Sequence, residues 1–318
     1  MKKVLVIGTG NMAFEYAKVL KELGVSFEVL GRGVTSADTF AKKTQVQPFI
    51  GGLPLFLKER DISMFSHAII ATSVESLFST MQDLVNIKFE HILIEKPAAL
   101  SINELINNKS YILEYGNNAR IYVAYNRRYY SSVIEAEKII REDGGLRSMF
   151  FEFTEWTHKI DTKNKSKELL ENWFFANSTH VIDLAFYFAG YPQKLSANFV
   201  KGNLDWHNHS IYSGSGITDK GVVFSYLSDW ESSGRWCVEL LTSKRRILLK
   251  PLEEVSYILK GSVQDIKHPI NNELDLNFKP GLYRQVSDFI ENKPMRLPNI
   301  IEHLNFSETV LAHITGSC

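Results

Sequence analysis

The run from Lys3 to Ala13 constrains the fold of this chain more than any other stretch of its sequence. Residues 3–8 (KVLVIG) contain an uninterrupted apolar run, which predicts a buried strand. The strand leads directly into GTGNMA at residues 8–13 and then into an amphipathic helix over 11–23. Glycines in such a turn let a phosphate approach the backbone at the helix N-terminus, and the small Ala13 lets the helix pack closely on the strand. This order favours a dinucleotide-binding unit, and a glycine turn without a dinucleotide is the alternative.

The rest of the first third repeats the alternation of strand and helix. Further strands are predicted at residues 26–31, 67–72 and 91–97, with helices at 35–43, 74–85 and 101–114. Short apolar strands that alternate with helices are typical of a doubly wound parallel sheet. The sequence therefore predicts an α/β fold in which residues 1–121 form an NAD(P)-binding Rossmann domain.

After residue 122 the pattern changes. A chain of 318 residues exceeds the usual size of one hydrophobic core, so a second domain is expected over 122–318. Period-two runs favour a mainly antiparallel sheet in this α/β domain, and they lie at 148–156, 221–230, 235–243 and 245–251. Helices are predicted at 131–143, 170–189, 281–292 and 300–314. We expect this domain to bind substrate and, through an uncovered sheet face rich in aromatic residues, to form a homodimer or homotetramer.

Composition excludes several classes of partner. Lys and Arg together number 36, as do Asp and Glu, so no net charge attracts nucleic acid or a membrane surface. Two cysteines, Cys237 and Cys318, are too few for a disulfide framework and fit a reducing compartment. The apolar run behind Met1 is too short for a signal peptide, and no run approaches the length of a membrane span. We expect a cytoplasmic protein with a small-molecule substrate.

No metal site is predicted, because His207 and His209 have no third ligand at metal spacing.

The end of the second predicted strand bears on the choice of cofactor. NAD-binding units usually carry a carboxylate there for the ribose hydroxyls, but this chain has Leu30-Gly31-Arg32-Gly33. The planar guanidinium of Arg32 suits a 2′-phosphate, because it can contact phosphate oxygens in a bidentate manner. The sequence therefore predicts NADP(H) in preference to NAD(H), and a solvated loop arginine is the alternative.

Four further segments carry a resemblance to a known family. They are Glu95-Lys96-Pro97, the segment VAYNRRY at 123–129, the helix start THVIDL at 179–184 and FKPGLYRQVSDFIENKP at 278–294. With the glycine turn, they make the chain similar to the Gfo/Idh/MocA oxidoreductases, whose members mostly act on sugars, cyclitols and related polyols. The resemblance implies an NAD(P)-dependent dehydrogenase or reductase that acts on CH–OH groups of a sugar, amino sugar or nucleotide-linked sugar.

The resemblance assigns the chemistry to two side chains. Lys96 matches the family lysine near the nicotinamide, and His180 matches the acid/base histidine, a role that suits its natural pKa. The residues expected to bind cofactor are Gly8, Thr9, Gly10, Asn11, Met12, Arg32, Thr72, Ser73, Glu95 and Lys96. The residues expected to bind substrate are Asp183, Asn126, Arg128, Trp173 and Asn177, and orienting the histidine is the alternative role of Asp183. For the arginines of the NRRY segment, an ion pair within the protein and a contact with substrate are equally open.

One position departs from the family pattern. The family commonly has Asp one helical turn before the histidine, where this chain has Ala176. Two explanations are open: the neutral groups Asn172, Asn177 or Thr179 take its place, or the substrate differs from a simple polyol. The departure keeps open a second class of function, a dinucleotide-binding regulator that has the fold but little or no turnover.

Overall fold

The computed structural model of the protein describes residues 3–116 and 119–316, and the chain separates into two compact units. Unit 1 comprises residues 1–100, 107–126 and 274–304, and unit 2 comprises 101–106, 127–273 and 305–318. The units therefore interleave along the chain, whereas the predicted boundary at residues 121 and 122 treats each domain as one continuous segment. The late stretch 274–304 returns to unit 1, which periodicity alone did not indicate.

Unit 1 is built on a six-stranded parallel sheet in the order β3-β2-β1-β4-β5-β6. Its strands are β1 (Lys3–Ile7), β2 (Phe27–Gly31), β3 (Phe49–Ile50), β4 (Phe65–Ile70), β5 (His91–Ile94) and β6 (Arg120–Val123). Val6 of β1 aligns with Val29 of β2 on one side and with Ile69 of β4 on the other. The direction of strand succession reverses at β1, and ligands of open α/β sheets bind at such a point.

Helices connect these strands. Those of the first hundred residues are α1 (Asn11–Glu22), α2 (Val34–Thr44), α3 (Gly52–Glu59) and α4 (Leu77–Asn86). They are followed by α5 (Ile102–Asn107), most of which belongs to unit 2, and by α6 (Lys109–Tyr115). Late in the chain come α10 (Glu273–Asn277), α11 (Leu282–Ile290) and α12 (Ile300–Phe306). The short pair β3 and α3 was not predicted, because two strand residues are too few to show alternation.

Unit 2 is built on an eight-stranded sheet in the order β14-β13-β12-β11-β7-β10-β9-β8. Its strands are β7 (Ser148–Glu152), β8 (Pro192–Val200), β9 (Ile211–Thr218), β10 (Val223–Asp229), β11 (Cys237–Leu241), β12 (Arg245–Leu249), β13 (Ser256–Leu259) and β14 (Asp265–Lys267). All neighbouring strands are antiparallel except β10 and β7. The predicted fold class, a parallel sheet followed by an α/β domain with a mainly antiparallel sheet, is confirmed.

The helices of unit 2 include those predicted over 170–189. They are α7 (Ser131–Glu142), α8 (Lys167–Glu171), α9 (Thr179–Ala189) and α13 (Ala312–Thr315), with π-helical turns at Phe174–Ser178 and Ser307–Leu311. The helical stretch over 170–189 is divided by a break at Asn172 and by the π-turn, which leads directly into α9.

Two sequence observations are placed by the structure. Cys237 is buried in β11, while Met1 and Cys318 lie outside the described residues. Within residues 3–116 and 119–316, no helix combines the length and apolar character that crossing a membrane requires.

Candidate functional site

A cleft of about 870 Å³ lies in unit 1 at the carboxyl ends of β1, β2 and β4. The predicted cofactor residues that line it are Gly8, Thr9, Gly10, Asn11, Met12, Arg32, Thr72 and Ser73. Glu95 and Lys96 are not among its lining residues. The turn after β1 and the ends of two neighbouring strands thus form one concave site, in the size range of ligand pockets.

Different features of the structure explain the glycines at positions 8 and 10 of the turn. Gly8 has a φ of +127°, and a Cβ built on it would lie 2.2 Å from the carbonyl oxygen of Ala71. Only glycine fits there. Gly10 has ordinary extended geometry, and nothing lies within 4 Å of the position of its Cβ. Gly10 therefore leaves open space beside the backbone, which a bound group can occupy.

The N-terminus of α1 faces the same cleft. The helix begins at Asn11, and no side chain caps its first amides. Uncapped amides at the start of a twelve-residue helix are donors for an anionic ligand, and the helix dipole adds to this attraction. The open space at Gly10 and these amides together fit the pyrophosphate of a dinucleotide.

The packing at the end of β2 leaves no space for a carboxylate side chain at position 31. A Cβ on Gly31 would lie 2.7 Å from Cγ2 of Thr9, so the Thr9 side chain occupies the space that a longer residue would need. The Thr9 hydroxyl donates to Ser36 Oγ at 2.9 Å. Arg32 is exposed at the rim of the cleft. The Cγ atom of Arg32 would lie 3.5 Å from a Cβ built on Gly52. The rim thus carries a cation and two hydroxyls in place of an acid.

The Glu95-Lys96-Pro97 segment follows β5 and is fixed on both sides of Lys96. The Tyr16 hydroxyl donates to Glu95 Oε1 at 2.7 Å, and Gln285 Nε2 donates to the same hydroxyl at 3.3 Å. Burial raises the pKa of Glu95, and the hydrogen bond from Tyr16 opposes this. Buried His303 donates from Nε2 to the Pro97 carbonyl at 2.8 Å. The backbone that carries Lys96 is thus anchored to α1, α11 and α12.

In unit 2, His180 lies in the first turn of α9. It is 7% exposed, and its ring centroid lies 6.1 Å from that of Trp236. The preceding π-turn places Asn177 and Ser178 against a carboxylate that the sequence analysis did not single out, Glu155. Asn177 Nδ2 donates to Oε2 at 2.8 Å, and the Ser178 hydroxyl donates to Oε1 at 2.7 Å. π-turns of this kind are frequent at functional sites.

Glu155 is a buried acid in the neighbourhood of His180. It is 3% exposed, and burial raises the pKa of its carboxyl, against hydrogen bonds that lower it. Ala176 is buried in the π-turn and brings no polar group of its own. A carboxylate is therefore present beside the π-turn, but it comes from the segment after β7 and not from position 176. Its only sequence signal was a glutamate at the end of a predicted strand.

Arg128 and Asp183 are occupied by each other. Arg128 Nε donates to Asp183 Oδ2 at 2.8 Å, and Nη2 donates to Oδ1 at 2.6 Å. Both side chains are buried, at 8% and 3% exposure. For Arg128, the structure contains the ion pair within the protein, whereas the substrate-binding role of Arg128 and Asp183 stays a prediction. Asn126, in unit 1, donates to the Pro280 carbonyl at 2.9 Å and so anchors the late segment.

Trp173 and Asn177 share a cleft of about 270 Å³ in unit 2. Its other lining residues are Glu155, Trp156, Lys159, Ile160, Asp161, Lys165 and Arg235. Of the residues predicted to bind substrate, it contains these two alone. His207 and His209 lie on a loop elsewhere in the unit, and the described part of the chain contains no group of three potential metal ligands.

No known family model matches the chain, and no curated protein matches its sequence. Solved structures do match the fold. An oxidoreductase from Agrobacterium radiobacter in complex with NAD⁺, L-tartaric acid and magnesium has a TM-score of 0.77 at 14% identity, over 100% of this chain and 97% of that chain. UDP-N-acetylglucosamine 3-dehydrogenase GnnA from Acidithiobacillus ferrooxidans has a TM-score of 0.71 at 14% identity, over 99% and 97%.

A third similar structure is the WlbA dehydrogenase from Chromobacterium violaceum in complex with NADH and UDP-GlcNAcA. Its TM-score is 0.71 at 14% identity, over 99% of this chain and 93% of that chain. The chain therefore has the two-sheet α/β fold of NAD(P)-binding oxidoreductases.

Proposed function

We propose that the chain is an NADP(H)-dependent oxidoreductase of the Gfo/Idh/MocA type. It transfers a hydride between nicotinamide and a carbinol or carbonyl carbon of a sugar, amino sugar or nucleotide-linked sugar. The observation that carries the proposal is the cleft at the reversal point of the parallel sheet, where open space at Gly10 meets the uncapped start of α1. Two of the similar structures contain NAD⁺ or NADH, which supports a dinucleotide as the occupant.

The dinucleotide would be held by the residues that line this cleft. Gly8, Gly10 and the first amides of α1 would take the pyrophosphate, and Arg32 with Ser36 would take the 2′-phosphate. When bound, the nicotinamide supplies or accepts the hydride. Two of the similar proteins are dehydrogenases whose names or ligands contain UDP-linked sugars, which supports a sugar-type substrate.

The chemical roles proposed for this chain belong to Lys96 and His180. His180 takes the proton from the substrate hydroxyl as it is oxidised and returns it during reduction. Lys96 stabilises the negative charge that develops on the substrate during hydride transfer. The hydrogen bonds of Glu95 and Pro97 hold the backbone of Lys96 in place, and the π-turn does the same for the start of α9.

Substitution of these two residues tests the proposed roles. Lys96→Ala and His180→Ala should each lower turnover at least about a hundredfold, the scale of losing a positioned acid/base or electrostatic group. The assay follows NADPH absorbance with a panel of neutral, amino and nucleotide-linked sugars, and circular dichroism checks that the variants fold. Turnover at the wild-type rate by both variants would contradict the assignment.

A second function is favoured by one observation. Position 176 offers no carboxylate, and Asp183 is held in an ion pair. In a dinucleotide-binding regulator with little turnover, His180→Ala would bind NADPH with wild-type affinity, and no sugar in the panel would oxidise or reduce the bound cofactor. Turnover of a single sugar by the wild-type protein excludes this alternative.

We also propose that the protein forms a homodimer or homotetramer through the outer face of the second sheet. Val223 and Leu227 of β10 are 55% and 49% exposed on that face, whereas Phe224 and Tyr226 between them are buried. Burying such residues in a second copy removes apolar surface from water. Light scattering should give at least twice the mass of one chain, and a strict monomer at high concentration would contradict this.

A further inference from the structure

The cleft of unit 2 that contains Trp173 and Asn177 is lined by three cationic side chains. We call it the tryptophan cleft, defined by Glu155, Trp156, Lys159, Ile160, Asp161, Lys165, Trp173, Asn177 and Arg235. At about 270 Å³ it is at the small end of ligand sites, which suits one group of a substrate rather than a whole large ligand. Asn177 precedes His180 by three residues, so the cleft lies beside the proposed acid/base.

Arg235, which lines this cleft, is held between two aromatic rings. Its guanidinium carbon lies 4.4 Å from the ring centroid of Trp156 and 4.8 Å from that of Trp236. The Trp156 indole is fixed by a hydrogen bond from Nε1 to the Gly234 carbonyl at 2.9 Å. Within residues 3–116 and 119–316, no carboxylate forms an ion pair with Arg235. Cation–π contacts orient a guanidinium and leave its N–H groups available to an anion.

A second guanidinium lies on the same indole. The guanidinium carbon of Arg127 is 4.8 Å from the Trp236 ring centroid, and its buried Nε has no hydrogen-bond partner among the described residues. Trp236 also contacts His180. Arg127 and Arg235 thus flank the ring that contacts the proposed acid/base, and neither forms an ion pair within residues 3–116 and 119–316. A buried donor without a partner is costly, so the arrangement favours a ligand that supplies acceptors.

The two acids of the cleft attract Arg235 and Lys165 but offset only part of the positive charge. Asp161 is used locally, because Asn164 donates to both of its oxygens. Both oxygens of Glu155 accept hydrogen bonds from the π-turn. Lys159 and Lys165 add two cations, and Lys165 Nζ lies 5.7 Å from the Trp173 ring centroid. Together with Arg235, the cations outnumber the acids.

We infer that the tryptophan cleft binds an anionic group of the substrate, a carboxylate or a phosphate, and that Arg235 is the residue that recognises it. The inference rests on the proposed function and narrows it, because the substrate is then an acidic sugar derivative and not a neutral polyol. A guanidinium with a fixed plane binds such groups through two parallel hydrogen bonds. A neutral sugar offers only hydroxyl oxygens as acceptors, which form weaker hydrogen bonds with a guanidinium than a carboxylate or phosphate does, so the same residues favour the acid over the neutral sugar.

Binding of three related sugars tests this inference without turnover. The probes are D-glucose, D-glucuronate and D-glucose 6-phosphate, and the signal is intrinsic tryptophan fluorescence, because Trp156 and Trp173 line the cleft. D-Glucuronate or D-glucose 6-phosphate should bind at least about tenfold more tightly than D-glucose, as expected for a charge-assisted contact. Comparison of the two acids tells a carboxylate site from a phosphate site.

Variants at Arg235 complete the experiment. Arg235→Gln should abolish the preference for the acids, and Arg235→Lys, which keeps a positive charge, should retain part of it. Arg141→Gln is the matched control, because Arg141 is exposed in the last turn of α7, outside the cleft, and its loss should leave the preference intact.

The outcomes separate this inference from the proposed function. Equal affinities for the three sugars, no binding of any of them, or an unchanged preference in Arg235→Gln overturns the inference. If the acids are preferred through Arg235 but no sugar in the panel changes the redox state of the cofactor, the inference stands and the proposed reaction fails. If neutral polyols are turned over equally well by wild type and Arg235→Gln, the reaction stands and the inference fails.

Discussion

Replacing Asp183 by Asn should destabilise unit 2 by about 3–5 kcal/mol, the cost of leaving one member of a buried pair without its partner. The structure gives the reason. Asp183 accepts two hydrogen bonds from Arg128, at 2.8 Å and 2.6 Å, and both side chains are buried. The substitution keeps the shape of the side chain but leaves the Arg128 guanidinium inside the protein without a negative charge. For a domain of this size the loss corresponds to a decrease in Tm on the order of 10 °C.

Tryptophan fluorescence can follow the unfolding of unit 2 separately. All five tryptophans lie within residues 127–273, so their emission reports on this unit alone. Two control variants are measured in the same way. Lys267→Gln breaks an exposed pair with Glu254 and should cost no more than about 1 kcal/mol. The double variant Arg128→Met with Asp183→Leu removes both charges and should recover most of the stability lost by Asp183→Asn.

The same variants decide between the two roles of Asp183. A structural ion pair requires that the loss appears in stability and is recovered by the double variant. If Asp183→Asn melts at the wild-type temperature while KM for substrate rises, the carboxylate contacts substrate and the structural interpretation is refuted.

Two further predictions concern single side chains. Arg32→Ala should weaken NADPH binding at least about tenfold and leave NADH binding nearly unchanged, because a charge-assisted contact to the 2′-phosphate is lost. Calorimetric titration of both cofactors checks this. Equal affinity of the wild-type protein for NADPH and NADH would show that Arg32 is only a solvated loop residue. Glu155→Gln should raise Tm, and more so at pH 8 than at pH 5. Burial raises the pKa of Glu155 above its unfolded value, so the native state binds the proton more tightly and the free energy of unfolding falls as pH rises through that pKa. A variant that is less stable than wild type at pH 8 would contradict this.

The parallel sheet could be predicted because its determinants are local. The apolar run of β1, the glycine turn and the start of α1 are contiguous, and each strand is long enough to show its pattern. The return of residues 274–304 to unit 1 depends on contacts such as Gln285 with Tyr16, which join residues far apart in the chain. Periodicity carries no information about such partners.

Less of the candidate site of unit 2 than of the parallel sheet could be predicted from the sequence. The motif identified Arg128 and Asp183, but only the structure showed that they pair with each other across 55 residues. Glu155 was interpreted as part of a strand, and Arg235 and Trp236 as part of another. Their importance comes from three-dimensional contacts with Asn177 and Trp156, and no spacing rule describes these contacts.

Gly10 offers the most direct test of the dinucleotide site. Because nothing lies within 4 Å of its Cβ position and its backbone is extended, Gly10→Val should fold like wild type while filling the space proposed for the pyrophosphate. Calorimetric titration of NADPH should show an affinity at least about a hundredfold lower for the variant, as expected when a phosphate loses its backbone contacts. Its Tm should fall by only a few degrees, because valine at the N-cap of α1 costs about 1 kcal/mol. Thr39→Val, an exposed change outside the cleft, is the control. Equal NADPH affinity in Gly10→Val and wild type, or no binding by either, would contradict a cofactor site at this turn.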